Sequence, residues 1–194
     1  MILNYYGHKI YLKEGIEIEC TREGSSFSQS LNRLYDSLPI ANDPNQNGSA
    51  KTTVNLDNSF ILGLDDVNPF LQDICKHISE ALLELEKFMG EFFITRVWTN
   101  RMFENACGSS HVHDSNCDYV GIYYYEAPEN CSMFIINGFE ENNIYDFDLS
   151  KNNKIGIQVK PGTLIIHPRM LNHSVSKNLT NIPRTVFVFE ILKK

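Results

Sequence analysis

The sequence predicts a mainly β protein, a barrel or jelly roll, whose N-terminal helices flank the strands. Two observations predict this class. From residue 92 onward, short segments rich in β-branched and aromatic residues recur with turn signals, and not helices, between them. Amphipathic helical patterns occur earlier in the chain. We therefore expect one domain, in which residues 1–91 supply opening strands and supporting helices and residues 92–194 form the β core.

The opening segment and the first helix precede that core. Residues 1–20 alternate apolar and polar side chains with many β-formers, which predicts a hairpin. Ser25 or Ser26 can then cap a short helix that ends before Pro39. The apolar side of this helix consists of Phe27, Leu31 and Leu34. Residues 41–52 are rich in Asn, Gly, Ser and Asp, so we expect an exposed loop there.

The clearest helical pattern runs from Asn68 to Gly90. Asn68 suits the N-cap, Pro69 suits the first helical position, and Gly90 suits a left-handed C-terminal residue. The apolar stripe consists of Phe70, Ile74, Ile78, Leu82, Leu85 and Met89. A single stripe of this kind predicts a helix that packs on one face of a sheet.

The strands of the core are predicted from their composition and from the turns between them. The predicted strands are Phe92–Trp98, Tyr119–Tyr125, Cys131–Ile136, Ile155–Val159, Thr163–His167 and Thr185–Ile191. Turn signals occur at Asn137-Gly138 and at Lys160-Pro161-Gly162.

Composition and charge exclude several classes of function. The net charge is −7 and there is no run of lysines and arginines, so bulk nucleic-acid binding is not expected. No secretory leader and no stretch of eighteen apolar residues is present, which argues against a membrane protein. The five cysteines are odd in number and form no CxxC pair. Together these features predict a protein of the reducing cytoplasm.

Three histidines form the strongest functional pattern. His111 and His113 are two residues apart, and in extended backbone such side chains point to the same face of a sheet. His173 lies in a later β segment, and Arg184 begins the next one. A mononuclear iron site needs two or three protein ligands on one face of the ion, with open positions for a cosubstrate and O₂. An arginine can hold a cosubstrate carboxylate with two hydrogen bonds.

At these positions the sequence resembles the Fe(II)- and 2-oxoglutarate-dependent oxygenase superfamily, and within it the small prolyl-hydroxylase-like oxygenases. The resemblance covers residues 92–192. It is carried by Trp98-Thr99-Asn100, His111-Val112-His113, Gly121-Ile122-Tyr123-Tyr124, Pro161-Gly162-Thr163-Leu164-Ile165-Ile166, His173 and Arg184. The resemblance implies a double-stranded β-helix, or jelly roll, with flanking N-terminal helices.

The resemblance also implies roles for individual residues. His111, His113 and His173 would bind Fe(II). Arg184 would bind the distal carboxylate of 2-oxoglutarate, helped by the hydroxyl group of Tyr123 or Tyr124. The implied activity is that of a dioxygenase that hydroxylates an unactivated C–H bond of a peptide side chain or a small amino-acid-like metabolite. Oxygen is the second cosubstrate, and succinate and CO₂ are the coproducts.

Two positions depart from the family pattern. The carboxylate that usually follows the first histidine by two residues is replaced by His113. Either both histidines bind the metal, or Asp114 supplies an oxygen ligand in place of one of them, or water replaces the carboxylate. His167 stands where an apolar residue is commoner, and it is compatible with a role beside the metal ligands or with a hydrogen-bonded core histidine.

Two further classes of function remain open at the level of sequence. One is a cupin-like three-histidine enzyme, a thiol dioxygenase or an isomerase, that does not use 2-oxoglutarate. The absence of the cupin glutamate after the histidine pair counts against it. The other is a non-catalytic jelly-roll binding protein. A homodimer through an edge strand formed by residues 1–12 is compatible with the sequence, as is a monomer.

Overall fold

The computed structural model describes residues 1–5, 7–41, 46–47, 49–113, 116–129, 131–136 and 154–194. The α-helices are α1 (Ser26–Ser37), α2 (Ser59–Leu62) and α3 (Val67–Glu86). The strands are β1 (Ile2–Tyr5), β2 (His8–Lys13), β3 (Gln46–Asn47), β4 (Ala50–Thr52), β5 (Phe92–Met102), β6 (Cys107–His111), β7 (Tyr119–Glu126), β8 (Ser132–Ile136), β9 (Lys154–Gln158), β10 (Thr163–Pro168), β11 (Asn172–Val175) and β12 (Arg184–Lys193).

The strands form two antiparallel sheets. The large sheet has the order β1-β2-β10-β7-β12-β5-β4, and the small sheet has the order β3-β6-β11-β8-β9. Neighbours such as β7 and β12 are far apart in sequence, so the connections cross from one sheet to the other. The predicted class is confirmed: the chain is a jelly roll with flanking helices, and its opening residues form the β1–β2 hairpin.

Each predicted core strand is present, with small differences in its bounds. The turn at Lys160-Pro161-Gly162 is also present. Gly162 has φ of 76°, and a Cβ atom there would lie 2.6 Å from the backbone oxygen of Ile16, so the position requires glycine. The predicted turn at Asn137-Gly138 lies outside the described residues. The segment expected to be a loop at 41–52 contains the short strands β3 and β4, which extend the two sheets at their edges.

The first helix begins and ends as predicted. The Ser25 hydroxyl accepts a hydrogen bond from the Ser28 N–H at 3.1 Å, which satisfies one of the free N–H groups of the first turn. Phe27, Leu31 and Tyr35 are buried beneath the helix.

The long helix α3 differs from the prediction at both ends. It starts at Val67, so Pro69 is its third residue and still lies in the first turn, where a missing N–H is harmless. It ends at Glu86, because Lys87 takes a left-handed conformation with φ of 61° and Phe88 turns back to pack on the core. None of the described helices is both long and apolar enough to span a lipid bilayer.

The large sheet separates two cores. Its outer face packs against α1 and α3 through aromatic and aliphatic side chains, with the Phe70 and Phe187 rings 4.7 Å apart. Its inner face packs against the small sheet through a second cluster that includes Trp98 and Met133. The alternation of side chains along each strand therefore decides which residues reach the space between the sheets.

Candidate metal and cosubstrate site

The three predicted histidines converge between the sheets. His111 ends β6 and pairs with His173 of β11, while His113 follows two residues later. The centroid of the His111 ring lies 4.4 Å from that of His173 and 5.3 Å from that of His113. One candidate ligand nitrogen from each of the three lies within 4.8 Å of the others. This is the spacing of imidazoles that can share one metal ion.

Backbone carbonyl groups fix the tautomers of two of these rings. The His111 Nδ1 lies 2.9 Å from the Ser109 oxygen, and the His173 Nδ1 lies 3.0 Å from the Leu171 oxygen. A carbonyl oxygen can only accept a hydrogen bond, so each Nδ1 carries the proton. The Nε2 lone pair is then the one that can bind a metal.

Beside the third ring, that of His113, a side-chain carboxylate stands where the other two rings have a backbone carbonyl group. The His113 Nδ1 lies 3.3 Å from Glu190 Oε1, and the His113 Nε2 is buried without a hydrogen-bond partner. The ring also lies 5.8 Å from that of Trp98, which covers one side of it. An unpartnered buried nitrogen of this kind is costly unless something binds it.

A fourth imidazole, that of His167, lies directly beside His173. The two ring centroids are 4.5 Å apart, and the His167 Nδ1 lies 2.9 Å from the Pro168 oxygen. The His167 Nε2 is buried and has no hydrogen-bond partner. Burial lowers the pKa of His167 to about 3 and lowers the pKa of His173 well below its ordinary value. Both imidazoles are therefore neutral at physiological pH, the form that binds metals.

Arg184 is buried in the same space. It is 1% exposed, and its Nη1 donates to the Ser176 oxygen at 2.8 Å. Its other contacts are the sulfur atoms of Met102 and Cys131, at 2.7 and 3.4 Å. Among the described residues no carboxylate lies within ion-pair distance of this guanidinium group. A buried cation without an anion is unfavourable, so the position suits an anionic ligand.

The three predicted histidines and Arg184 line one cavity of about 260 Å³ between the sheets. Tyr124 lines it too, and burial raises the pKa of its phenol well above the ordinary value, so the hydroxyl stays a hydrogen-bond donor. Tyr123 does not line the cavity. It points to the outer face of the large sheet, where its ring lies 5.9 Å from that of Phe70. Asp114 lies outside the described residues.

Two charged residues of the cavity were not predicted from the sequence. Glu190 lies in β12 and is 7% exposed, and Arg96 lies in β5 with its guanidinium 5.1 Å from the centre of the Trp98 ring. A signal for Glu190 was present. It is the one acidic residue in the apolar run Val186–Ile191, and it stands an even number of residues from Arg184, so the two share a face of the strand.

Comparison with known families agrees with this geometry. Residues 96–190 match the family model described as "Putative 2OG-Fe(II) oxygenase". Residues 96–190 of the chain belong to the 2OG-Fe(II) oxygenase family. The matched range includes every histidine of the site and both charged ends of the cavity, Arg184 and Glu190. A search of curated proteins by sequence gave no match for this oxygenase.

Solved structures share the fold of the oxygenase at low sequence identity. A Pseudomonas putida prolyl-4-hydroxylase is 10% identical, with a TM-score of 0.60 over 94% of this chain and 92% of the other. HygX from Streptomyces hygroscopicus, solved with nickel, 2-oxoglutarate and hygromycin B, is 14% identical, with a TM-score of 0.58 over 95% and 83%. A Trichoplax adhaerens prolyl hydroxylase, in complex with a hypoxia inducible factor peptide, is 11% identical, with a TM-score of 0.61 over 93% and 82%.

The donor set of the oxygenase fits an iron ion. Imidazole suits iron, and the buried, unpartnered His113 Nε2 is the kind of atom that a metal would satisfy. The described residues supply three nitrogen ligands and no carboxylate within the same group. The cavity of this chain therefore combines three candidate metal ligands with a buried guanidinium group.

Proposed function

We propose that this protein is an Fe(II)- and 2-oxoglutarate-dependent dioxygenase that hydroxylates an unactivated C–H bond. The proposed substrate is a peptide or protein side chain, or a small amino-acid-like metabolite. The observation that carries the proposal is the presence of three converging histidines and a buried arginine in one cavity. Bound iron and 2-oxoglutarate would supply the activation of O₂, with succinate and CO₂ as coproducts.

His111, His113 and His173 would hold the metal. Their Nδ1 atoms face oxygen acceptors, which presents the Nε2 lone pairs in fixed orientations before the ion binds. The role of Asp114 as a further oxygen ligand remains part of the proposal. His167 would support the centre by closing the space behind His173 with a neutral ring.

Arg184 would bind the distal carboxylate of 2-oxoglutarate. The guanidinium is already desolvated and held by the Ser176 oxygen, so little reorganisation is needed when the anion arrives. Tyr124, whose side chain lines the same cavity, would donate a second hydrogen bond to that carboxylate. Tyr123 is left out of the proposed site because it faces α1 and α3.

The proposed substrate class is argued from a second arginine of the cavity and from the similar solved structures. Arg96 lines the cavity, donates to the Val54 oxygen and stacks over Trp98, which places a second guanidinium where a substrate carboxylate could bind. The similar structures include one with a bound peptide and one with bound hygromycin B. A carboxylate-bearing, amino-acid-like substrate agrees with the presence of the Arg96 guanidinium in the cavity.

We further propose that residues 1–194 form one oxygenase domain. The N-terminal strand β2 pairs with β10, and β4 pairs with β5, so the large sheet takes strands from both halves of the chain. Residues 1–91 then complete the sheet and cover its outer face, and they do not form a separate unit.

An alternative is a three-histidine metalloenzyme of the cupin type, a thiol dioxygenase or isomerase, that ignores 2-oxoglutarate. The specific observation in its favour is that the described metal-ligating group contains histidines alone. A non-catalytic binding protein is the remaining alternative, and it predicts no stoichiometric metal.

The deciding experiment is an anaerobic titration of metal-free protein with Fe(II) and then with 2-oxoglutarate. We expect the visible charge-transfer band of a chelated iron–2-oxoglutarate complex. His173→Ala should abolish the band, and Arg184→Ala should weaken it at equal 2-oxoglutarate concentration. Metal binding without a band at any concentration would support the cupin-type alternative, and the absence of stoichiometric metal would support a binding protein.

A further inference from the structure

The function proposed above uses the buried contact between Glu190 and His113 to orient the imidazole, and it gives no role to the charge of the carboxylate. Glu190 lies on the cavity face of β12, 7% exposed, and its Oε1 lies 3.3 Å from the His113 Nδ1. In the part of the chain that the structure describes, His113 is the one ionisable group within ion-pair distance of this carboxylate. Burying a carboxylate against a single imidazole costs free energy, which suggests a role for the charge.

The position of His113 in the sequence suggests what the charge of Glu190 does. Two residues after His111, the family pattern has a carboxylate ligand, and this chain has an imidazole. Two neutral histidines and one carboxylate reduce the net charge of a divalent metal centre to +1, whereas three neutral histidines leave it at +2. A carboxylate that accepts the Nδ1 proton of a ligating histidine increases the basicity of that ligand and offsets the charge of the metal.

We propose that Glu190 is a positioning residue that supplies, through His113, the negative charge that the missing carboxylate ligand would otherwise provide. The His113–Glu190 pair then replaces one aspartate or glutamate ligand. This inference rests on the proposed function, because it assumes that His113 binds the metal. It also explains why an acidic residue occupies the otherwise apolar run Val186–Ile191.

The test is a comparison of metal affinity in matched backgrounds, by calorimetric titration of Fe(II) into metal-free protein under anaerobic conditions. In the wild-type background, Glu190→Gln keeps a hydrogen-bond acceptor and removes the charge, so we expect it to weaken Fe(II) binding by about 10- to 100-fold. In the His113→Asp background the metal has its own carboxylate ligand. There Glu190→Gln should leave Fe(II) affinity unchanged or increase it, because two carboxylates no longer face each other.

Two controls keep the result interpretable. Glu126→Gln changes a partly buried carboxylate on β7 that contacts Arg101 and Thr185 and does not line the cavity, so Fe(II) affinity should not change. His113→Ala serves as a second background in case His113→Asp does not fold. If Glu190 acts through His113, Glu190→Gln should have no effect on Fe(II) affinity there.

The outcomes separate this inference from the proposed function. Wild-type protein that fails to bind Fe(II) contradicts the proposed function itself. Wild-type protein that binds Fe(II) as tightly as Glu190→Gln overturns the role of Glu190 and leaves the proposed function standing. Equal weakening by Glu190→Gln in every background means that Glu190 contacts the metal directly, which also overturns the inference.

Discussion

The two faces of strand β12 perform different tasks within the same ten residues. On the outer face lie Phe187, Phe189 and Ile191, which pack against α1 and α3 and are fully buried. On the inner face lie Arg184, Val186, Val188 and Glu190, which line the cavity. The three outer residues carry no charge, whereas the four inner residues begin and end with a charged group. The comparison shows that stability and chemistry can be assigned to alternate residues of one strand.

The difference lies in how the buried groups are satisfied. The aromatic rings of the outer face contact one another at centroid distances of 4.7 Å for Phe70 with Phe187 and 5.8 Å for Phe27 with Phe187. Such contacts stabilise the fold without any ligand. On the inner face, Arg184 is buried without a described carboxylate partner, and the His113 Nε2 is unpartnered. Those groups reduce stability unless ligands bind them.

Among the substitutions, Phe187→Ala has the largest expected effect on stability. The substitution removes a fully buried ring from the outer face and should lower the free energy of unfolding by about 3–5 kcal/mol. Denaturant unfolding of metal-free protein measures this change. Phe93→Ala is the control on β5, because Phe93 is 51% exposed and its truncation should cost far less. A loss for Phe187→Ala no greater than that for Phe93→Ala would contradict the comparison.

The second prediction concerns pH. Because burial depresses the folded-state pKa of His167 to about 3 and lowers that of His173, the unfolded chain binds protons that the folded chain does not. The stability of metal-free protein should be complete above pH 6.5 and should fall as the pH drops toward 3, by about 1.4 kcal/mol per pH unit for His167, and the lowered pKa of His173 should steepen this fall.

His167→Leu should remove one of these two contributions and reduce the slope, as measured by denaturant unfolding at a series of pH values in the presence of a chelator. The exposed His8 provides the matched control, and His8→Leu should leave the slope as it is in the wild type. An unchanged slope in His167→Leu would show that the imidazole of His167 is hydrated in solution.

The smallest expected effect on stability is that of Arg184→Met. The substitution removes a buried charge and keeps a side chain of similar length. The free energy of unfolding should therefore fall by no more than about 1 kcal/mol, or should rise. This contrasts with its neighbour Phe187 on the other face. A loss as large as that of Phe187→Ala would indicate that the hydrogen bond from Arg184 to the Ser176 oxygen holds the sandwich together.

Much of the fold could be predicted because its signals are local. Ser25 caps α1 as its side chain allows, and the β segments after residue 92 match the observed strands. The end of α3 could not be predicted, because Gly90 offers the stronger local signal and the observed end at Glu86 depends on Phe88 packing against a core formed by distant residues. The strands β3 and β4 were missed for the same reason, since pairing with the sheets overrides a loop-like composition.

The site was predicted in part. His111, His113 and His173 are brought together, and Arg184 and Tyr124 line the same cavity. Alternation alone could not decide between adjacent tyrosines, because it leaves open which face of the strand is the inner one. Glu190 was missed because its importance depends on which histidine it meets. That contact joins residues 77 positions apart and has no local signature.

The groups that accept the Nδ1 protons of the three histidines determine how easily this site can change by mutation. Two of the acceptors, at Ser109 and Leu171, are main-chain oxygens, so the side chains at those positions can change without altering which nitrogen carries the proton. The acceptor beside His113 is a side chain, that of Glu190. A single codon change at position 190 can therefore alter the electronic character of one metal ligand and leave the other two as they were.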